Sequence, residues 1–186
     1  MRNTLKFLLT LAAALLGTLA FKSLVVTICT IDGNGLEPVF LQGDRVVVNR
    51  WSYGLRTGQK NGLFGYGRIC RREISKGDLL VFEDASGRTM ICRCAGVPGD
   101  TVLITVKMGD GRKRLQSIHV PGLDTCDDRN YYWVKPIGKN NPLGSEQLGF
   151  IAEEDIIGRA CLVLYSFDPK EPSLSGFRTE RFLLPP

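Results

Sequence analysis

Residues 30–40 read "TIDGNGLEPVF" and run straight into "LQGDRVVVNR", residues 41–50. The second stretch alternates polar and apolar residues around three valines, the pattern of a half-buried strand. The first packs Asp32, Gly33, Asn34, Gly35 and Pro38 into eleven residues, which is turn chemistry. A loop of this shape before a strand is built to present a side chain. The position where that side chain would stand is Gly35, which has none.

Outward from this stretch the texture is β. "SLVVTICTI", "DRVVVNRW", "GDLLVFED", "RTMICRCAGV", "DTVLITVKM", "LQSIHV", "YYWVKPI" and "DIIGRACLVLYS" are rich in β-branched and aromatic residues and are separated by Gly, Asp, Asn and Pro. "KMGDGRKR" predicts a hairpin turning at Asp110-Gly111. The expected fold is mainly β, an antiparallel sheet or barrel-like sandwich over residues 25–168. Asp32, Asp44 and Asp100 follow or precede turn positions, where a carboxylate usually hydrogen-bonds backbone, and they are read as architecture.

Residues 1–24 differ in kind. "FLLTLAAALLGTLAF", between Lys6 and Lys22, is uncharged, favours helix and has no polar face. At ~1.5 Å per residue it is short for a ~30 Å hydrocarbon core, so both lysines would snorkel outward. Arg2 and Lys6 precede the run, predicting one transmembrane helix with the N-terminus inside and the rest outside. A cleavable secretory signal is the alternative, since "GTLA" offers small residues. Either reading exports the domain.

Residues 51–73, "WSYGLRTGQKNGLFGYGRICRRE", form an aromatic, basic stretch expected as a long loop. Trp51, Tyr53, Leu63, Phe64 and Tyr66 would meet lipid headgroups or pack on the domain's own core. The tail, 169–186, reads as a linker with an amphipathic stub.

The chain has 186 residues, 44% hydrophobic, enough for one core. Its net charge of +5 is scattered among acids, which favours membrane lipid and argues against nucleic acid. No zinc-finger spacing, P-loop or dinucleotide fingerprint occurs, and His119 is the single histidine, so no metal or cofactor is expected. Cys92 and Cys94 share a strand face and are poorly placed to bond to each other. Cys29, Cys70, Cys126 and Cys161 suggest no pairing by spacing alone.

Four blocks, "GLEPVFLQGDRVVVN", "GDLLVF", "ICRCAGVPGD" and "GFIAEEDIIGRA", together with the anchor, resemble the type I signal peptidases, membrane-bound serine peptidases of the Ser-Lys kind. The resemblance implies a signal-peptidase β-domain at the cell (inner or plasma) membrane. That family carries S-M-x-P, K-R-x-x-G-x-P-G-D, and G-D-N-R followed by S-x-D-S-R before Gly-Phe. Laid on this chain, its serine falls on Gly35, its methionine on Leu36 and its proline on Pro38. Its lysine falls on Cys92, with Arg93 retained, registered by Pro98, Gly99 and Asp100. The third block becomes Pro136, Ile137, Gly138 and Lys139, then Pro142, Leu143, Gly144, Ser145 and Glu146.

A Ser-Lys peptidase needs a hydroxyl to attack and a neutral lysine to take its proton. Neither is present. A Cys92–His119 pair would need His119 at hand, and His119 lies on an alternating strand. The resemblance therefore implies a non-catalytic homologue that binds signal peptides of exported preproteins or partners an active signal peptidase. An active peptidase using other residues and a structural protein reusing the fold are the alternatives. An extended peptide would lie along a groove bordered by Gly33, Gly35, Leu36, Glu37, Pro38, Arg93 and Cys94.

Overall fold

The structure is a computed structural model that describes residues 2–58, 65–107, 113–123, 129–138, 143–171 and 176–186. The expected Asp110-Gly111 turn, Leu63, Phe64, Cys126, Lys139 and Pro142 lie outside the described residues.

The apolar N-terminal run is a 24-residue helix, α1 (Arg2–Val25), which continues through the valines expected to open a strand. Strand β1 (Val26–Thr30) follows directly. Phe7, Leu8, Leu9, Leu11, Leu15, Leu16 and Leu19 are all exposed, so the domain does not cover this helix. Among the described residues no helix is both long and apolar enough to cross a membrane.

The β-rich remainder forms the expected antiparallel sheet. Its seven strands are β1, β2 (Asp44–Asn49), β5 (Leu79–Glu83), β6 (Thr89–Gly96), β9 (Tyr131–Lys135), β10 (Ile151–Ala152) and β11 (Ile156–Ser166). Their order is β1-β2-β11-β5-β6-β9-β10, so the last strand in sequence is inserted near the middle. Two hairpins stand apart: β3 (Leu55–Thr57) with β4 (Gly67–Ile69), and β7 (Thr101–Lys107) with β8 (Lys113–His119).

The sheet is covered on both faces, as the unbroken apolar run "LLVF" of β5 requires. Leu80, Phe82, Cys92, Cys94, Tyr132, Val134 and Ile156 pack on one face. Leu79, Val81, Ile91, Val46, Val48, Phe40 and Val163 pack on the other.

Three turns of one construction start three strands. In Leu41–Asp44, Ser75–Asp78 and Val97–Asp100 the Asp N–H donates to the carbonyl of the first residue, at 3.1, 3.2 and 3.0 Å. The third residue is glycine each time, with φ of 90° at Gly43, 93° at Gly77 and 86° at Gly99. A turn with positive φ at this position favours glycine strongly. The aspartate closes the loop, its carboxylate accepting from the first residue's N–H at 2.9, 3.3 and 2.7 Å.

The region 51–73 is a short hairpin, and its rings divide. Tyr53 is buried and donates its hydroxyl to Asp78 at 2.9 Å, while Trp51 is exposed. Arg68 is almost fully enclosed, donating to Gly54, Tyr66, Glu153 and Ile156. Part of the expected interfacial loop is therefore core.

The tail also returns to the sheet. Val163 bridges to Leu184 and Phe167 to Phe177. Arg181 donates through Nη2 and Nε to the fully buried Asp44, at 2.6 and 3.1 Å, and reaches the Val39 carbonyl at 2.9 Å. Burial works to raise the Asp44 carboxyl, but hydrogen bonds from Arg181, Ser166 and Leu41 outweigh it, and the net shift is downward. Residues 176–186 thus complete a buried ion pair that the reading of a linker and stub did not foresee.

Candidate functional site

A cavity of about 220 Å³ opens between β1, the turn that follows it and the start of β6. Gly35 and Leu36 line it from the turn, Cys92 and Ile91 from β6, and Ile137 and Leu143 from the segment after β9. Strands β1 and β6 are four places apart in the sheet, so the sheet must curl to bring both to one cleft. The two positions read as lost nucleophile and lost base are therefore brought together.

The strand edges facing this cleft are open. Along its whole length β1 pairs only with β2. Residues Thr89–Cys92 of β6 pair with β5, whereas β9 takes up the other edge only at Arg93, Cys94 and Gly96. Two unpaired edges bordering one groove are the geometry that strand addition uses.

The chemistry of the lining is muted. Cys92 is buried, its Sγ lies 3.4 Å from the Leu143 carbonyl, and burial pushes its thiol up to about 11. A thiolate, the nucleophilic form, is thus disfavoured. Burial also raises the Cys29 thiol on the opposite wall. His119 is not among the lining residues; it pairs with Thr101 in the β7–β8 hairpin. The Cys92–His119 arrangement has no support here. Cys29, Cys70, Cys92, Cys94 and Cys161 are free thiols.

The segment after β9 closes on the turn from the other side. A Cβ on Gly138 would stand 1.8 Å from the Gly35 carbonyl oxygen and 2.8 Å from the Leu36 Cα. No side chain fits there without backbone movement. Ser145, the one polar residue retained in the third block, is buried and accepts from the Val134 N–H at 2.8 Å, which holds β9 rather than facing the cleft.

Of the residues expected to border a groove, Gly35 and Leu36 line the cavity, and Gly33, Glu37, Pro38, Arg93 and Cys94 do not. Gly33 (φ 81°) and Pro38 shape the turn. Cys94 is buried in the core beside Tyr53 and Ile74. Arg93 lines a separate cavity with Arg159 and Pro186. Strand alternation accounts for it: neighbours on a strand point to opposite faces, so Arg93 and Cys92 cannot share a site. The lining residues Cys29, Thr30, Thr89 and Ile137 were missed, because nothing local announces which edges a curled sheet will bring face to face.

Comparison with known proteins fits this geometry. Residues 1–112 match the family model described as signal peptidase, peptidase S26, a range that includes both Gly35 and Cys92. Two curated relatives, each named "Inactive signal peptidase IA", come from Staphylococcus aureus strains COL and Mu50 / ATCC 700699. Each is 25% identical over 182 residues, covering 90% of this chain and 95% of the relative. With more than half its length matched and with its cleft inside the match, the chain belongs to the signal peptidase family, peptidase S26.

Proposed function

We propose that this protein is a non-catalytic signal-peptidase homologue that holds an extended peptide, such as the signal peptide of an exported preprotein, without cutting it. The observation that carries the reading is the cleft itself. Its two open strand edges remain, while the nucleophile position is Gly35 and the base position is a buried thiol. Glycine supplies no attacking atom, and a protonated thiol neither attacks nor accepts the proton a lysine would take. The relatives' printed name supports the same reading.

We also propose that α1 tethers the domain to the cell membrane as a single-pass anchor, N-terminus inside and residues 25–168 outside. A row of exposed Leu and Phe along the helix and the basic residues preceding it support this. In this arrangement membrane lipid is a partner, and pairing with an active signal peptidase would let the protein deliver or protect a substrate.

Purified protein incubated with a signal-peptide substrate is expected to give no more cleavage than buffer, as is the Cys92→Ala variant. A photo-crosslinking signal peptide should label Cys29–Leu36 or Thr89–Cys92. Gly35→Ser/Cys92→Lys is expected to introduce slow cleavage that neither single variant shows, since a buried lysine is pushed toward its neutral form. Turnover by the parent that disappears in Cys92→Ala would overturn the reading.

A further inference from the structure

A second cavity, of about 370 Å³, continues the cleft toward the end of α1. It shares Cys29 and Thr89 with the first and adds Thr27, Arg50, Arg56 and Glu83. Thr27, Cys29 and Ile31 follow one another at every second residue of the chain, so they share one face of the extended segment. The two cavities are thus successive stations along one groove.

The cations at this second station are unevenly satisfied. Arg56 and Arg68 face each other across the β3–β4 hairpin. Arg68 is saturated by carbonyls, the Tyr66 hydroxyl and Glu153. Arg56, by contrast, buries its Nε without a hydrogen-bond partner among the described residues. A buried donor left unmatched is costly, and a guanidinium is matched best by a carboxylate taking two parallel N–H groups. The hairpin also holds Arg56 firmly in place: a Cβ on Gly58 would meet the Gly65 carbonyl oxygen at 1.8 Å, so the two arms close backbone to backbone. Two arginines against Glu83 leave the station cationic, whereas the first cavity's one charged lining residue is Asp32.

We propose that this station is an anion-accepting subsite, built on Arg56 with Arg50, Thr27 and Thr89. Its ligand is an acidic side chain of the bound peptide, about four residues from the side chain seated beside Gly35 and Cys92, the separation of Thr27 from Ile31 along an extended chain. The inference rests on the peptide-holding reading above and adds a charge requirement to it. Such a requirement selects among extended peptides that the uncharged part of the cleft would accept alike.

The test uses the full chain in neutral detergent micelles and a set of acetylated, amidated peptides. Each has a small residue for the first cavity and either Glu or Gln four positions to one side or the other. One Glu peptide is expected to bind about tenfold more tightly than its Gln counterpart, the effect of one charge-assisted pair. Arg56→Gln should remove that preference while leaving the Gln peptide's affinity unchanged, and Arg56→Lys should retain part of it. A melting curve shows whether the variants fold.

A separate measurement follows the Arg56 Nε–H resonance during titration with sodium acetate, which should move it in the parent. Equal affinity for Glu and Gln peptides, or a preference that survives Arg56→Gln, overturns the subsite. A resonance that moves with anionic lipid vesicles and not with the Glu peptide assigns the station to headgroups and also overturns it. Failure of every peptide to bind overturns the peptide-holding reading, while the acetate titration still decides the anion site on its own.

Discussion

The three Gly-Asp turns and the cleft are built from the same kinds of residue and have opposite contents. Each turn keeps a glycine with φ near 90° and a carboxylate with a backbone partner, and Asp44 adds a buried guanidinium. In the cleft, glycine and cysteine stand where hydroxyl and amine would be, and the neighbouring backbone has closed in until Gly138 abuts Gly35. Polar groups that hold strands in register have local partners and a large cost of loss. Groups that only perform chemistry have no such hold on the fold, so their removal leaves the scaffold intact.

The comparison is broken most directly at Arg181. Arg181→Ala leaves the buried Asp44 carboxylate without its counter-charge and is expected to cost about 3–5 kcal/mol in denaturant unfolding, whereas Gly35→Ala should move the midpoint little. Asp44 is held below its ordinary value of 3.8. Its contribution is therefore present above about pH 4 and is lost as pH falls through the depressed value, so the deficit of Arg181→Ala should shrink on acidification. A deficit independent of pH would show that packing, not charge, is what Arg181 supplies.

A smaller effect sharpens the account of the turns. Gly77→Ala meets no atom within 4 Å and should cost about 1–2 kcal/mol from its positive φ alone. Gly43→Ala carries the same strain and would also drive its Cβ to 1.8 Å from the Phe167 carbonyl oxygen, so it must cost more. Equal midpoints for the two would mean that the tail yields there without loss.

The smallest effect is chemical and leaves stability unchanged. Burial puts Cys92 and Cys94 at about 11, against an ordinary 9.0. Thiolate content alone should slow their alkylation at pH 8 by about a hundredfold. Mass spectrometry of iodoacetamide-treated protein should find the exposed Cys70 modified first. Early modification of Cys92 would reveal a more reactive cleft than the geometry allows.

Much of the fold was legible because its signals are local. Alternating runs gave the strands, and Gly-Asp pairs at Gly43-Asp44 and Gly99-Asp100 announced turns in which the carboxylate serves the backbone. The cleft positions Gly35 and Cys92 were legible through motif spacing. What escaped depends on distant partners. Arg181 and Asp44 are separated by 137 residues, and a tail rich in Pro, Ser and charge looks like a linker until its arginines find buried carboxylates. Arg93 was misplaced beside Cys92 because a motif ignores which way alternate side chains point. Tyr53 and Tyr66 resembled interfacial rings, since an aromatic, glycine-rich stretch gives no local sign of the hydrogen bonds to Asp78 and Glu153 that draw them inward.

The place of β11 in the sheet sets an order of events during synthesis. It lies between β2 and β5, and the Arg181 that neutralises Asp44 comes later still. A chain growing from its N-terminus makes β1, β2, β5, β6 and β9 before the strand that joins them. Until residues 156–166 emerge, β1 and β2 are one fragment, β5, β6 and β9 another, each with an unmatched edge. Assembly of the domain therefore waits on its final residues, and a nascent chain stalled before them would present two sticky half-sheets and a buried-to-be carboxylate to whatever factors attend it.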